Sequence, residues 1–297
     1  MEVVTPGQVI QSGEGFLRGH GTYVAHGKLI ASVAGVVQRV NKLVSVVPLK
    51  STYSGQVGDV VVGRVTEVGQ KRWQIDVGST QGAVLMLSSV NLPGGVQRRR
   101  TYEDQLNMRT LYAEGDLVSA EIHSFWADGA MSIHTRSRKY GKLTFGVLVQ
   151  VPAVLMRRMK EHFHRIDEVG VDMLLASNGY VWLSPTPPEG ERGEEEGGGD
   201  KEGEGEEATE TAPWGGYKGA VDAGPEVRAR MARVQQSIRV LAAQWLEVSP
   251  EAIRDVYEES EEKEVEVAAM LEDAVRSEVT TRACQRRDAQ ARSKPDV

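Results

Sequence analysis

Short apolar runs separated by glycines dominate roughly the first half of the chain. Runs rich in Val, Ile and Thr alternate with Gly-containing segments, a pattern typical of short β-strands joined by tight turns. In residues 1–54 this pattern predicts a small N-terminal β domain, with apolar runs at 22–25, 28–33 and 43–48. About 50 residues bury little apolar surface alone, so we expect this domain to pack against another domain or chain.

Residues 55–138 show a second arrangement of strand-like runs. Three of them come first, a polar stretch that permits a helix follows, and two more runs end the segment. Three strands, a helical connection and two strands predict a five-stranded barrel of the oligonucleotide-binding (OB) type. The five runs lie at 60–68, 72–77, 82–87, 115–122 and 131–135.

The pattern changes period from residue 139 onward. A strand-like run at 147–151 stops at Pro152, and the apolar positions that follow, up to Phe163, lie near helical spacing. Two further strands, 172–175 and 180–183, flank Asn178-Gly179, a dipeptide that favours a hairpin turn. Strand, helix and hairpin predict a compact α+β unit over 139–185, which needs later elements to close its core.

Residues 186–224 carry no periodic apolar positions and are rich in Glu and Gly. Such a composition does not bury enough surface to offset chain entropy, so it predicts a disordered acidic insert, read as a spacer in preference to a functional arm. Residues 225–297 then predict helices, the second of which starts at Ser249-Pro250, where Ser caps and Pro suits the first turn. These helices are assigned to the α+β unit, so the fold class is mainly β with α+β.

Charge is distributed unevenly along the chain. The formal net charge is −7, but residues 1–188 carry 20 Lys and Arg against 15 Asp and Glu, a balance of +5. Residues 189–210 alone hold 11 acidic and 2 basic side chains. The acidic average therefore does not exclude a nucleic-acid partner for the body of the protein.

The sequence is less compatible with a membrane-spanning, secreted or disulfide-bonded protein. No apolar run approaches the length of a membrane span, and no secretory signal is recognised at the N-terminus, so we expect no membrane partner. The single cysteine, Cys284, forms no internal disulfide, which favours a reducing compartment.

A barrel of this kind binds either single-stranded nucleic acid or protein. Nucleic-acid binding requires cations for phosphates and flat side chains for stacking. The candidates are cations near strand ends together with one aromatic that we interpret as exposed; an ordinary charged surface is the alternative for each. The candidate RNA-binding residues are Lys71, Arg72, Trp73, Arg98, Arg99, Arg100, Arg136, Arg138, Lys139 and Lys142. A further run, Arg157-Arg158-Lys160, is interpreted as the solvated face of the predicted helix.

The sequence contains no recognisable motif for catalysis or for metal binding. There is no phosphate-binding loop, no nucleophile elbow and no paired metal carboxylate motif. His162 and His164, two residues apart on the predicted helix, would point to different faces and therefore do not suggest a metal site. We predict no catalytic residue, no metal and no cofactor.

Domain order and several motifs together resemble the S1/KH-domain cap subunits of the RNA exosome, of the ribosomal RNA-processing protein four type. The resemblance spans residues 5–185 in family order, and its motifs are specific as a set. The segments that carry it are Thr5-Pro6-Gly7, residues 13–23, 58–65, Arg98-Arg99-Arg100, 138–143, 146–151, His162-Phe163-His164 and 178–183.

This resemblance implies a barrel of the S1 type and a KH domain completed by the C-terminal helices. It implies a non-enzymatic subunit that binds single-stranded RNA and contacts RNase-PH-like ring subunits and the other cap subunits, with exoribonucleases associated indirectly. It also implies nuclear, nucleolar and cytoplasmic locations and roles in rRNA maturation, RNA surveillance and turnover. Two alternatives remain: a free-standing RNA-binding or translation factor, and a phosphorolytic exoribonuclease.

The chain departs from the family pattern in three places. The third barrel strand, 82–87, lacks an aromatic for stacking, and no Gly-x-x-Gly loop follows the predicted helix. The turn at 176–179 lacks the family's first glycine. We therefore expect the KH-like domain to serve in structure and docking more than in RNA binding.

Overall fold

The computed structural model describes residues 2–12, 15–48, 50–91, 101–137, 139–186 and 224–293. Most of the predicted insert at 186–224 lies outside these residues. The chain divides into two compact units, 1–51 and 52–297, and each is described by itself.

The first unit is built from two small β-sheets, as the apolar pattern predicted. Their inward faces share a core that includes Val4, Leu29, Ala31 and Val46. The strands are β1 (Val3–Val4), β2 (Val9–Ser12), β3 (Leu17–Arg18), β4 (Thr22–Ala25), β5 (Lys28–Ala31), β6 (Gly35–Val40) and β7 (Leu43–Pro48). One sheet has the order β1-β6-β7-β3 and the other β2-β5-β4.

The second unit begins with the predicted five-stranded barrel, which closes completely. Its strands are β8 (Val60–Val68), β9 (Arg72–Asp76), β10 (Ala83–Val90), β11 (Leu117–Phe125) and β12 (Met131–Thr135), with α1 (Tyr102–Leu106) and α2 (Met108–Leu111) between β10 and β11. β8, β9 and β10 pair antiparallel, β12 pairs parallel to β10, and β11 joins β12 back to β8. Large side chains such as Trp73, Leu85 and Ile133 fill the interior.

A short sixth strand, β13 (Gly141–Leu143), extends the barrel sheet beyond residue 138. β11 pairs with β12 along residues 121–125 and with β13 along residues 117–119, on the edge opposite β8. β12 and β13 therefore follow the same edge of β11, one after the other.

The remainder of this unit is a four-stranded antiparallel sheet covered by helices. The elements are β14 (Val147–Gln150), β15 (Phe163–Ile166), β16 (Val171–Leu175), β17 (Tyr180–Pro185), α3 (Pro225–Ala243), α4 (Pro250–Glu262) and α5 (Asp273–Ser293). The sheet has the order β14-β17-β16-β15, and its core joins Met173 and Leu183 of the sheet to Ile238 and Ile253 of the helices. Ser249 Oγ accepts a hydrogen bond from Ala252 N at 3.3 Å, so the predicted cap is confirmed.

The helix predicted after Pro152 is wrong. A single 3-10 turn, Ala153–Leu155, is followed by irregular chain and then by β15. Leu155 O accepts a hydrogen bond from Val248 N at 2.8 Å, so after this single turn the backbone pairs with the segment before α4 and does not continue as a helix. The run Arg157-Arg158-Lys160 consequently lies in an exposed loop and not on a helix face.

The turn between β16 and β17 joins the helix-covered sheet to the barrel. Asn178, only 4% exposed, donates from Nδ2 to Val62 O at 2.8 Å and to Val77 O at 2.9 Å. Its Oδ1 accepts from Val62 N at 3.4 Å, which satisfies both ends of the amide. Gly179 follows at φ +87°, where a Cβ would lie 2.2 Å from Val151 O. A shared apolar cluster that includes Val60 and Trp182 seals this joint.

We expect Asn178→Ala to destabilise the joint, because it leaves two buried backbone carbonyls without the amide that they accept from. The loss should be about 1–3 kcal/mol in the free energy of unfolding, measured in urea. Asn107→Ala, at an exposed position with no side-chain cap bond, is the control and should change little. Equal stability of the two variants would contradict the bridging role.

Candidate nucleic-acid interface

The first pair of predicted cations lies at one end of the barrel. Lys71 and Arg72 are exposed at the turn between β8 and β9. Lys71 O accepts from Leu87 N at 3.0 Å, and Arg72 pairs with Met86, so the amino end of β9 lies beside the carboxyl end of β10. The geometry allows both side chains to reach phosphates from the solvent.

The interpretation of Trp73 as an exposed stacking residue is wrong. Trp73 has 0% of its surface exposed. Its Nε1 donates to Tyr112 O at 3.0 Å, and the two rings meet edge to face with centroids 5.3 Å apart. Alternation along β9 turns Arg72 outward and Trp73 inward. Trp73 is therefore a core residue and cannot stack on a base.

The second set of cations belongs to the connection between β12 and β13. Arg136 and Lys139 are exposed there. Asn91 Nδ2 donates to Arg136 O, and Val90 pairs with Thr135, so this connection begins beside the carboxyl end of β10. Lys71, Arg72 and Arg136 thus lie around the same end of the barrel, which we call the cationic rim.

Lys142 differs from the other candidates because it already has a partner. Its Nζ lies 2.6 Å from Asp116 Oδ2, so part of its charge is neutralised within the fold. Arg98, Arg99, Arg100 and Arg138 lie outside the described residues. The connection that carries the three consecutive arginines starts from Asn91, at the cationic rim.

Sequence reasoning missed a titratable cluster on the outer surface of β11 and β12. Glu121 pairs with His134 across the strands, and the rings of His123 and His134 lie 5.8 Å apart. Tyr140 OH donates to Glu121 Oε2 at 3.1 Å. The register between β11 and β12 brings these residues together, and this proximity cannot be recognised from their spacing along the chain. In the described part of the chain, no group of three or more His, Cys, Asp or Glu could hold a metal ion.

The cluster perturbs its own protonation. Burial lowers the pKa of His134, nearby Arg136 and His123 lower it further, and Glu121 opposes them. Burial, together with the charge of Glu121 and the hydrogen bond to it, raises the pKa of Tyr140, which keeps this phenol protonated and donating. The charge of His134 therefore depends on Arg136, which belongs to the cationic rim, as well as on Glu121.

Comparison with known families gives three matches in chain order. Residues 3–40 match "Exosome complex exonuclease RRP4 N-terminal region", residues 52–124 match "RRP4, S1 domain", and residues 146–189 match "KH domain". The Caenorhabditis elegans protein "Exosome complex component RRP4 homolog" is 38% identical over 269 residues, covering 90% of this chain and 82% of that protein. The chain belongs to the RRP4 family.

Other RRP4 relatives match over a shorter stretch. The Mus musculus "Exosome complex component RRP4" is 55% identical over 197 residues, 66% of each chain. The Saccharomyces cerevisiae protein of the same name is 50% identical over 185 residues, 62% of this chain and 51% of that one. The chain thus spans just under two thirds of the mouse relative's length and about half of the yeast relative's.

Membership of the RRP4 family confirms the resemblance that the sequence motifs indicated, including its S1-type barrel and KH domain. The cationic rim therefore lies on the S1 barrel. Exposed cations grouped at one end of a closed barrel can bind phosphates without discriminating between bases. Among the helices of the described ranges, none is long and apolar enough to cross a membrane.

The surroundings of His134 predict that its pKa shifts in opposite directions when two neighbouring charges are each removed by substitution. Its titration midpoint, followed by NMR, should lie below the ordinary value of about 6.5. Glu121→Gln should lower the midpoint further, because the carboxylate stabilises the imidazolium, and Arg136→Gln should raise it. Shifts of the same sign in both variants would contradict this assignment of charges.

Proposed function

We propose that this RRP4-family chain is a non-catalytic cap subunit of an RNA exosome. In this role it guides single-stranded RNA toward the channel of a ring of RNase-PH-like subunits for 3′-to-5′ processing and decay. The observation that carries the proposal is the cationic rim on an S1 barrel within a chain of this family. The relatives are named exosome components, and this name supports the assembly in which the rim would act.

The RNA-binding part of the proposal rests on electrostatics. Three exposed cations at one barrel end suit a phosphate backbone that passes the rim. Binding of this kind is independent of sequence, as a subunit that guides many different RNAs requires. The acidic side chains counted in residues 189–210 belong to a different part of the chain.

The docking part of the proposal rests on one face of the first unit. The face of the β1-β6-β7-β3 sheet opposite the core presents three cross-strand rows, fixed by the strand register. Val3 (62% exposed), Leu17 (63%) and Val40 (55%) lie at its margins. The rows are Val3-Val36-Val47, Gln38-Ser45 and Val40-Leu43-Leu17.

None of these eight positions is charged, in a chain of which 26% of residues are charged. Exposed apolar surface of this kind marks protein interfaces, because in water it costs free energy that a partner removes. Within the proposed assembly, ring and cap subunits are the partners that would cover this face. Associated exoribonucleases would supply catalysis.

The cap assignment implies nuclear, nucleolar and cytoplasmic locations and roles in rRNA maturation, surveillance and turnover. A phosphate-dependent trimming assay on this chain should yield no product, and product formation would favour the phosphorolytic alternative. Affinity purification should recover ring subunits. Their absence would favour the free-standing factor.

Replacing both Lys71 and Arg72 with Gln should weaken binding to single-stranded RNA and flatten its dependence on salt. Removing one cation that binds a phosphate should reduce the slope of log K against log salt by about 0.7. Lys142→Gln is the matched control, since its ammonium group is already paired with Asp116. An unchanged slope in the double variant would exclude these two cations from the RNA path.

Val40→Asp and Leu43→Asp should abolish co-purification with ring subunits, because each buries an unpaired charge in the proposed interface. Thermal stability of the isolated chain should change little, since both side chains are exposed at 55% and 40%. Val24→Asp, at a 59% exposed position in the other sheet, is the control. Normal co-purification of the first two variants would place the interface elsewhere.

A further inference from the structure

Two consecutive aromatic side chains are exposed at the turn between β11 and β12. Phe125 is 44% and Trp126 is 50% exposed. The turn is closed by backbone bonds from Trp126 N to Ala130 O at 2.9 Å and from Gly129 N to Trp126 O at 3.0 Å. Asp128 Oδ1 also accepts from Ala130 N at 3.0 Å. Both rings are therefore presented on a well-defined hairpin, and the cationic rim does not use them.

The basic loop that replaces the predicted helix is held against the barrel. Arg157, Arg158 and Lys160 are exposed within four residues of irregular chain. The guanidinium group of Arg158 donates to the side chain of Gln56 and lies 3.8 Å from Asp59 Oδ2. The loop thus places Arg158 against the 55–59 segment, which leads into β8, with Arg157 and Lys160 within two residues of this contact.

The same 55–59 segment contacts the strands that carry the aromatic hairpin. Asp59 O accepts from Ile122 N at 2.9 Å, and Gly58 N donates to Ile122 O at 2.9 Å. A Cβ at Gly55 would lie 2.9 Å from Met131 Sδ, and Met131 is the cross-strand partner of Phe125. One short segment therefore links the basic loop to the two strands that carry the exposed aromatic rings.

Cations and exposed flat rings on neighbouring elements are the combination that binds single-stranded nucleic acid. The core of a protein-binding surface would be depleted of charge, whereas here three cations lie on a loop that the 55–59 segment connects to the strands carrying the rings. Arg157 has an acidic neighbour, with Nε 3.7 Å from Glu247 Oε1, but both side chains are at least half exposed. Exposed pairs of this type are weak and can be exchanged for a phosphate.

We propose that Phe125 and Trp126 form a base-stacking platform for single-stranded RNA, with Arg157 and Lys160 contacting the adjacent phosphates. This inference rests on the proposed RNA-binding function and adds a second contact at the other end of the barrel. β11 runs from residue 117, near the rim, to residue 125, and nine residues of strand span roughly 26 Å. RNA that contacts both sites would follow the length of the barrel.

The test measures fluorescence anisotropy of a labelled twelve-nucleotide oligouridine with the full chain at several salt concentrations. Trp126→Ala should weaken binding about fivefold or more, the range expected when one stacked ring is removed, with the salt slope unchanged. Trp126→Phe should stay within about twofold of the native chain, because a flat ring remains. Arg157→Gln with Lys160→Gln should instead reduce the salt slope by about 1.4.

Two controls separate stacking from general effects. Trp245→Ala removes a tryptophan that is also 50% exposed but lies between α3 and α4, and it should leave affinity unchanged. An RNA duplex should bind the native chain and Trp126→Ala equally, because its bases are already stacked.

The outcomes distinguish this inference from the function on which it rests. If Trp126→Ala binds like Trp245→Ala while the Lys71 and Arg72 double variant binds weakly, the platform is excluded and the RNA function stands. If only Trp126→Ala binds weakly, the platform is supported and the cationic rim is excluded. A native chain without measurable affinity for single-stranded RNA would overturn both.

Discussion

The side-chain amide of Asn178 is the interaction on which the second unit depends. It hydrogen-bonds Val62 and Val77, on two sides of the barrel's first hairpin and 116 and 101 residues away in sequence. Leaving this buried amide without its partners would cost more free energy than the hydrogen bonds contribute when they form. The turn at 176–179 therefore has one favourable position against the barrel. Barrel and helix-covered sheet consequently share an apolar cluster, and the position of the basic loop beside the barrel follows from this joint.

Local patterns predicted the elements whose stability is mainly local. The barrel strands follow from alternation, and the start of α4 follows from Ser249-Pro250. The partners of Asn178 were not predictable, because nothing near residue 178 specifies a contact with residue 62. Trp73 is a different case. Trp73, Ile75 and Val77 occupy alternate positions, which predicts an inward face, although the cations that precede Trp73 favoured the opposite interpretation.

The segment after Pro152 shows how tertiary pairing overrides a helical period. Its apolar spacing fits a helix, but Phe163 pairs with Leu174 in the sheet and Val248 pairs with the chain at 155–156. These partners bury Leu155 and Met156 and satisfy backbone groups through residues that are distant in sequence, so the contacts are not visible in any local window of sequence. The missed Glu121, His123 and His134 cluster has the same origin, since it depends on the register between two strands.

The order of elements along the chain has a consequence for synthesis. The barrel is complete by Leu143 and its docking turn by Gly179, but the helices that cover the sheet begin only at Pro225. At ribosomal rates of about 5–20 residues per second, the 39 residues between Pro185 and Pro225 take roughly 2–8 s to emerge. During that interval Met173, Leu175 and Leu183 lack α3 and α4, the helices against which they pack in the described structure. A nascent chain of this length would therefore present the uncovered apolar face of the sheet to chaperones.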